Sequence, residues 1–119
     1  MKKRVLLVDD SPVIHIMLRK VLEKNNYEVC GDAKNGREGV EMFKGLSPDI
    51  IFMDVTMPVM DGLDAAKAIK QANRDVRIIM LSAMGDDEII KQAKELGITT
   101  FLKKPFDDYK IISALYTAE

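Results

Sequence analysis

The sequence has one cysteine, one histidine and no tryptophan among its 119 residues. A single cysteine excludes a disulfide framework and a cysteine-based zinc site. The 18 Lys and Arg residues nearly balance the 19 Asp and Glu residues, so the net charge is −1 and no basic footprint marks the chain. This balance argues against nucleic acid or a membrane surface as the main partner. No apolar run is long enough to span a bilayer.

The first ten residues, MKKRVLLVDD, are basic and then apolar. Two aspartates end the apolar run after four residues, which is too short for a signal peptide, so we expect a cytoplasmic protein. The length corresponds to one domain, and a hydrophobic share of 47% is enough for a core. We therefore expect a single domain over residues 1–119.

Short apolar runs alternate with amphipathic stretches five times along the chain. Residues 5–8, 27–30, 49–53, 76–81 and 100–103 predict β-strands, and a stretch with helical spacing follows each of them. Ser11 before Pro12 and Asn35 before Glu38 are typical helix starts, and Gly97 is a typical helix end. The alternation predicts a doubly wound α/β fold, (βα)5, with a five-stranded parallel sheet covered by helices on both faces.

In such a sheet, functional residues collect at the carboxyl ends of the strands. Asp9 and Asp10 follow the first strand, Asp54 the third, Ser82 the fourth and Lys104 the fifth. Three converging carboxylates would repel one another unless a cation lies among them. Lys104 is one candidate, and Mg²⁺ is the other because the set offers only oxygen ligands. The combination predicts a phosphoryl site in which an aspartate oxygen attacks in line.

Four segments carry a family resemblance in the family's own order and spacing: VDDS at 8–11, MDVTMPVMDG at 53–62, SA at 82–83 and KKPF at 103–106. With them the whole chain resembles the receiver domain of two-component response regulators, most closely the single-domain regulators of the CheY type. Each segment alone is weak, but together on these strand ends they are specific. The resemblance implies the flavodoxin-like strand order 2-1-3-4-5.

The resemblance also implies a role for each residue at the site. Asp54 is the expected phosphoacceptor, with Lys104 and Ser82 contacting the phosphoryl oxygens. The Mg²⁺ ion is expected on Asp54, directly on Asp10, through water on Asp9, and on the backbone carbonyl of Thr56. The expected protein is a signalling phosphoacceptor that catalyses its own phosphorylation and dephosphorylation, rather than an enzyme with a separate substrate.

Three further expectations follow from the resemblance. The bond before Pro105 should be cis and so place Lys104. Phe101 should move inward when Ser82 turns to the phosphoryl group, which changes the face formed by the fourth helix, the fifth strand and the fifth helix. Thr56 and Met84 should face the attacking water and set the lifetime of the phosphorylated state.

The resemblance leaves the pathway open. A sensor histidine kinase is the expected donor, and the expected target is either a flagellar motor switch, in a chemotaxis system, or a histidine phosphotransfer domain, in a phosphorelay. We favour the chemotaxis type, acting as a monomer. No output domain follows in the sequence, although a longer regulator can contain the same segment.

Other functions of similar folds fit the residues less well. A flavin carrier needs a Ser/Thr/Gly-rich loop where Asp9 and Asp10 stand, and an aspartyl phosphatase usually has Asp-x-Asp spacing there. A receiver-like module that only binds a partner usually lacks an acidic or basic member of the site. The single histidine, His15, lies beside the apolar stripe of the first helix, and we expect it to be half-exposed and without a partner.

Overall fold

The computed structural model describes residues 2–118, so both end residues of the predicted domain, 1 and 119, lie outside the described residues. Strands and helices alternate five times, as predicted. In chain order they are β1 (Arg4–Val8), α1 (Pro12–Lys24), β2 (Glu28–Ala33), α2 (Gly36–Leu46), β3 (Ile50–Asp54), α3 (Gly62–Ala72), β4 (Arg77–Ser82), α4 (Asp87–Glu95), β5 (Thr100–Lys103) and α5 (Asp108–Ala118). Between residues 2 and 118, no helix combines the length and apolar character needed to cross a membrane.

The five strands form one parallel sheet in the order β2-β1-β3-β4-β5, which confirms the predicted doubly wound fold. Val8 of β1 pairs with Met53 of β3, so Asp9 and Asp54 come next to each other at the carboxyl edge. Ser82 of β4 pairs with Lys103 of β5, which brings Lys104 to the same edge. The register therefore collects the predicted site residues at one end of the sheet.

Apolar side chains fill both faces of the sheet. The face covered by α2, α3 and α4 buries Leu6, Ile51, Met53 and Met80 among others. The face covered by α1 and α5 buries the alternate positions, such as Leu7, Phe52 and Leu81. Because both faces are covered, the central strands are continuous apolar runs, and this rigid sheet supports the loops at its carboxyl edge.

Three strands differ from the sequence prediction in an informative way. β2 runs to Ala33, three residues beyond the predicted 27–30, because Gly31 and Asp32 interrupt the apolar pattern but still pair with Leu6 and Leu7 of β1. β2 is an edge strand, so its outward residues can be polar. Asp54 and Ser82 are the last residues of β3 and β4 rather than the first residues after them.

Helix α2 starts as its sequence predicts. The side chain of Asn35 accepts a hydrogen bond of 2.9 Å from the backbone N–H of Glu38. The carboxylate of Glu38 accepts one of 2.9 Å from the N–H of Lys34, the residue before Asn35. In a regular capping box the glutamate accepts from the N–H of the N-cap residue itself, which is Asn35 here. This helix start is therefore a capping box whose second bond goes to the preceding residue.

Candidate functional site

Three carboxylates form a cluster at the carboxyl edge of the sheet. One oxygen from each of Asp9, Asp10 and Asp54 lies within 4.8 Å of the other two. Asp9 is 1% exposed and Asp54 is 6% exposed, whereas Asp10 is open to solvent. The cluster therefore has two buried carboxylates and one at its mouth.

Lys104 is the cation that contacts this cluster. Its Nζ donates a hydrogen bond of 3.1 Å to Oδ2 of Asp9 and lies 3.3 Å from Oδ1 of Asp54. Its backbone N–H donates to the carbonyl of Ser82 at 2.7 Å, and the following bond to Pro105 is cis. Lys104, which directly follows β5, thus bridges the carboxylates of Asp9 and Asp54.

The charges in the cluster do not cancel. Burial, and then the charge of Asp9, raise the pKa of Asp54 to about 6, although Lys104 acts in the opposite direction. Burial lowers the pKa of Lys104, but Asp9 and Asp54 outweigh this effect, so its pKa lies above the ordinary value. One lysine faces three carboxylates, so the cluster keeps a net negative charge.

A hard divalent cation fits this set of donors. The three side chains offer only carboxylate oxygens, which are the ligands that Mg²⁺ prefers, and the exposed position of Asp10 leaves room for the water that Mg²⁺ usually retains. The excess negative charge supplies the electrostatic reason for binding such an ion.

The remaining predicted residues surround the cluster at different depths. Ser82 is buried at the end of β4, and Thr56 is exposed two residues after Asp54. Met84 is 89% exposed. Phe101 is half-buried on β5, and the Nζ of Lys94 lies 5.9 Å from the centre of its ring. Asp54, Ser82 and Lys104 are therefore brought together, while Phe101 lies one strand away.

The loop between β3 and α3 passes very close to the backbone of Asp54. The N–H of Gly62 donates to the carbonyl of Val55 at 2.8 Å, and a Cβ atom on Gly62 would lie 1.9 Å from the carbonyl oxygen of Asp54. Only glycine allows this approach. Gly62 belongs to the segment that carries the resemblance, but no feature of the sequence indicates the backbone contact.

The expectation for His15 was wrong. Its side chain is only 14% exposed and has two partners, with Nδ1 2.7 Å from Oδ1 of Asp32 and Nε2 2.7 Å from the carbonyl oxygen of Asp9. The prediction failed because the apolar pattern does not place Asp32 on β2 and because a backbone carbonyl leaves no mark in the sequence.

A parallel sheet of this order, with three carboxylates and a lysine at its carboxyl edge, defines a flavodoxin-like α/β domain whose site lies where the strand order reverses. Residues 5–116 match the family model described as response regulator receiver domain, and the chain belongs to that family.

Several similar proteins are chemotaxis regulators. The chain is 45% identical to chemotaxis protein CheY of Thermotoga maritima over 115 residues, which cover 97% of this chain and 96% of that protein. It is 43% identical to chemotaxis protein CheY of Bacillus subtilis, with the same coverage. These homologues suggest a regulator of the chemotaxis type.

Solved structures share the fold over most or all of their length. Chemotaxis protein CheY4 of Vibrio cholerae superposes with a TM-score of 0.92 at 32% identity, covering 100% of both chains. The CheX-CheY-BeF3-Mg²⁺ complex of Borrelia burgdorferi gives a TM-score of 0.91 at 31% identity, covering 97% of this chain and 87% of that one.

Proposed function

We propose that this protein accepts a phosphoryl group on Asp54 from a phosphohistidine of a sensor histidine kinase. The observation that carries the proposal is the position of Asp54, a carboxylate 6% exposed, 3.3 Å from the Nζ of Lys104 and beside Asp9 and Asp10. The similarity to CheY proteins supports it. As a signalling regulator, the protein would act on itself rather than on a separate substrate.

The chemistry that we propose is an in-line displacement at phosphorus. A carboxylate oxygen of Asp54 forms the new P–O bond as the P–N bond of the phosphohistidine breaks, and the departing imidazole nitrogen takes up a proton from water. Lys104 can contact the transferred oxygens from its present position between Asp9 and Asp54. Ser82, at the end of the adjacent strand, can donate its hydroxyl to another of them.

Asp9, Asp10 and Asp54 would hold Mg²⁺, with the backbone carbonyl of Thr56 as a further ligand. When bound, the ion neutralises charge on the transferred oxygens. The Borrelia burgdorferi complex combines a CheY protein with BeF3 and Mg²⁺, which supports this assignment.

The exposed residues Thr56 and Met84 flank the site, so we propose that they control the access of the water that removes the phosphoryl group.

The output that we propose is a change on the face formed by α4, β5 and α5. Ser82 turning toward the phosphoryl group would free space next to β5, into which Phe101 would move, and Lys94 would lose its position over the ring. The domain 1–119 would act as a cytoplasmic monomer whose target is a flagellar motor switch. Transfer of the phosphoryl group to a histidine phosphotransfer domain is the competing outcome.

Intact mass spectrometry tests the acceptor. After incubation with acetyl phosphate, the wild-type chain should gain one phosphoryl mass in the presence of Mg²⁺ and none after chelation. Asp54→Asn should abolish the gain, whereas Asp75→Asn, at an exposed carboxylate lining no part of the site, should leave it intact. No gain in the wild-type chain, under conditions that preserve acyl phosphates, would indicate a module that only binds a partner.

A further inference from the structure

His15 contacts the backbone of the acidic cluster from outside it. The residue lies in the first turn of α1, and its Nε2 is 2.7 Å from the carbonyl oxygen of Asp9. A carbonyl oxygen only accepts, so Nε2 carries the proton that it donates. On the other side of the ring, Nδ1 is 2.7 Å from Oδ1 of Asp32 at the end of β2. Both ring nitrogens therefore face hydrogen-bond acceptors.

Asp9 is fixed at every other polar atom. Its N–H donates to the carbonyl of Ala33 at 3.1 Å. Its carboxylate accepts from the N–H of Ser11 at 2.8 Å and from Lys104 at 3.1 Å. No backbone N–H within residues 2–118 reaches the carbonyl of Asp9, so His15 supplies the hydrogen bond that this partly buried oxygen needs.

Asp10 depends on the same peptide group. Its side chain is exposed, and in the part of the chain that the structure describes its carboxylate has no hydrogen bond. The peptide group that joins Asp10 to Asp9 sets the direction in which the Asp10 side chain leaves the backbone, and the bond from His15 holds that group. Without the bond, the peptide could turn, and Asp10 would leave the position in which its oxygen lies within 4.8 Å of Asp54.

We infer that His15 is a positioning residue, which fixes the Asp9–Asp10 peptide and so keeps Asp10 in place as a ligand for the divalent cation. Asp32 of β2 faces the other ring nitrogen. This inference rests on the proposed function, because it concerns the same cation site. It adds a residue outside the ligand set, on a different element, whose loss weakens metal binding without removing a ligand.

The Mg²⁺ dissociation constant, measured by titration calorimetry at a fixed pH, tests the inference. His15→Leu and His15→Phe remove the hydrogen-bond donor but still fill the half-buried position with a side chain. Both should weaken Mg²⁺ binding about tenfold, because loss of a group that orients a metal ligand usually has an effect of this size. His15→Gln places an amide N–H where Nε2 was and should recover most of the affinity. Arg19→Met is the control, because Arg19 also pairs with Asp32 but does not reach Asp9.

Thermal unfolding of the same variants separates positioning from packing. Lower stability of His15→Leu and His15→Phe with an unchanged Mg²⁺ affinity would overturn the inference and leave the proposed function intact. Equal losses in His15→Gln and His15→Leu would also overturn it, since the donor would then be irrelevant. A wild-type chain that binds no Mg²⁺ would instead overturn the proposed function, and this inference with it.

Discussion

The burial of Asp54 has a measurable effect on stability. Its pKa is about 6 in the folded chain against 3.8 without the surrounding protein, because burial and Asp9 disfavour the charged form. The folded state therefore binds more protons than the unfolded state between these values. Stability from this group is complete below about pH 4 and is lost as the pH rises through about 6.

Replacing this carboxylate should consequently stabilise the protein without metal at neutral pH. We expect Asp54→Asn to raise the free energy of unfolding by about 1–2 kcal/mol at pH 7.5, with the gain shrinking as the pH falls toward 4. Urea unfolding in the presence of a chelator, repeated across this range, measures the effect. The exposed control Asp75→Asn should change stability by less than about 0.5 kcal/mol at any pH. A gain that does not vary with pH would contradict the assigned cause.

Val59, in the loop after Asp54, has a strained backbone. Val59 has a φ of 69°, and the N–H of Met60 bonds the carbonyl of Pro58 at 2.8 Å, so Val59 is the centre of a γ-turn in the loop after Asp54. A β-branched residue is strained in this region, and the side chain is 75% exposed, so packing does not compensate.

Glycine should relieve that strain. Val59→Gly should stabilise the chain by about 1 kcal/mol in denaturant unfolding. Val13→Gly is the matched control, because Val13 is also an exposed valine but has helical backbone in α1. It should instead destabilise the chain by about 0.5–1 kcal/mol. Destabilisation by both changes would show that the turn at Val59 stores no strain.

At the scale of elements, one backbone contact joins the start of α3 to the end of β3. A Cβ atom on Gly62 would lie 1.9 Å from the carbonyl oxygen of Asp54. Gly62→Ala must therefore displace either the loop before α3 or the end of β3. We expect a loss of more than about 2 kcal/mol in stability, because neither backbone can yield without losing other contacts. Gly45→Ala, in α2 with open space around it, should stabilise by up to about 1 kcal/mol. Thermal unfolding of the two variants compares them directly.

Local sequence patterns predict some of the strands and helices but not all of their extent. Central strands are continuous apolar runs and the helices repeat apolar residues at helical spacing, so the existence of both was predictable from local patterns. The polar half of β2 was not, because its pairing with β1 depends on an edge position that only the assembled sheet defines. For the same reason the contact between Asp32 and His15 was not predictable, since it joins two elements through a carboxylate on that polar half.

The whole molecule brings the site together from residues that lie up to 95 positions apart in the chain, as Asp9 and Lys104 do. Residue types at the strand ends indicated the chemistry, but the strand order that makes β1 and β3 neighbours came from the family resemblance. Distances, burial and the raised pKa of Asp54 depend on that packing. They therefore required the structure.

The same assembly places the site close to β5, the edge strand that we propose carries the output. Ser82 ends β4 and pairs with Lys103, and its carbonyl accepts a hydrogen bond from the backbone N–H of Lys104. We propose that a change at Asp54 reaches β5 through Ser82. Phe101 lies on that strand beneath Lys94. Helix α2 covers β1 and β2 and has no part in this route.

Amide spectra with a phosphoryl mimic test this route. Adding beryllofluoride and Mg²⁺ should shift amides across residues 83–106 and leave most of α2 unchanged. In Ser82→Ala the shifts should persist next to Asp54 but fall off before β5, because the hydroxyl that we propose turns toward the phosphoryl group is gone. Ser113→Ala, an exposed serine on α5, is the control and should behave like the wild-type chain. If Ser82→Ala transmits the full change to Phe101, the Ser82 hydroxyl is not needed for the coupling. The contacts left to carry it are then the ion pair of Lys104 with Asp54 and the backbone pairing of β4 with β5.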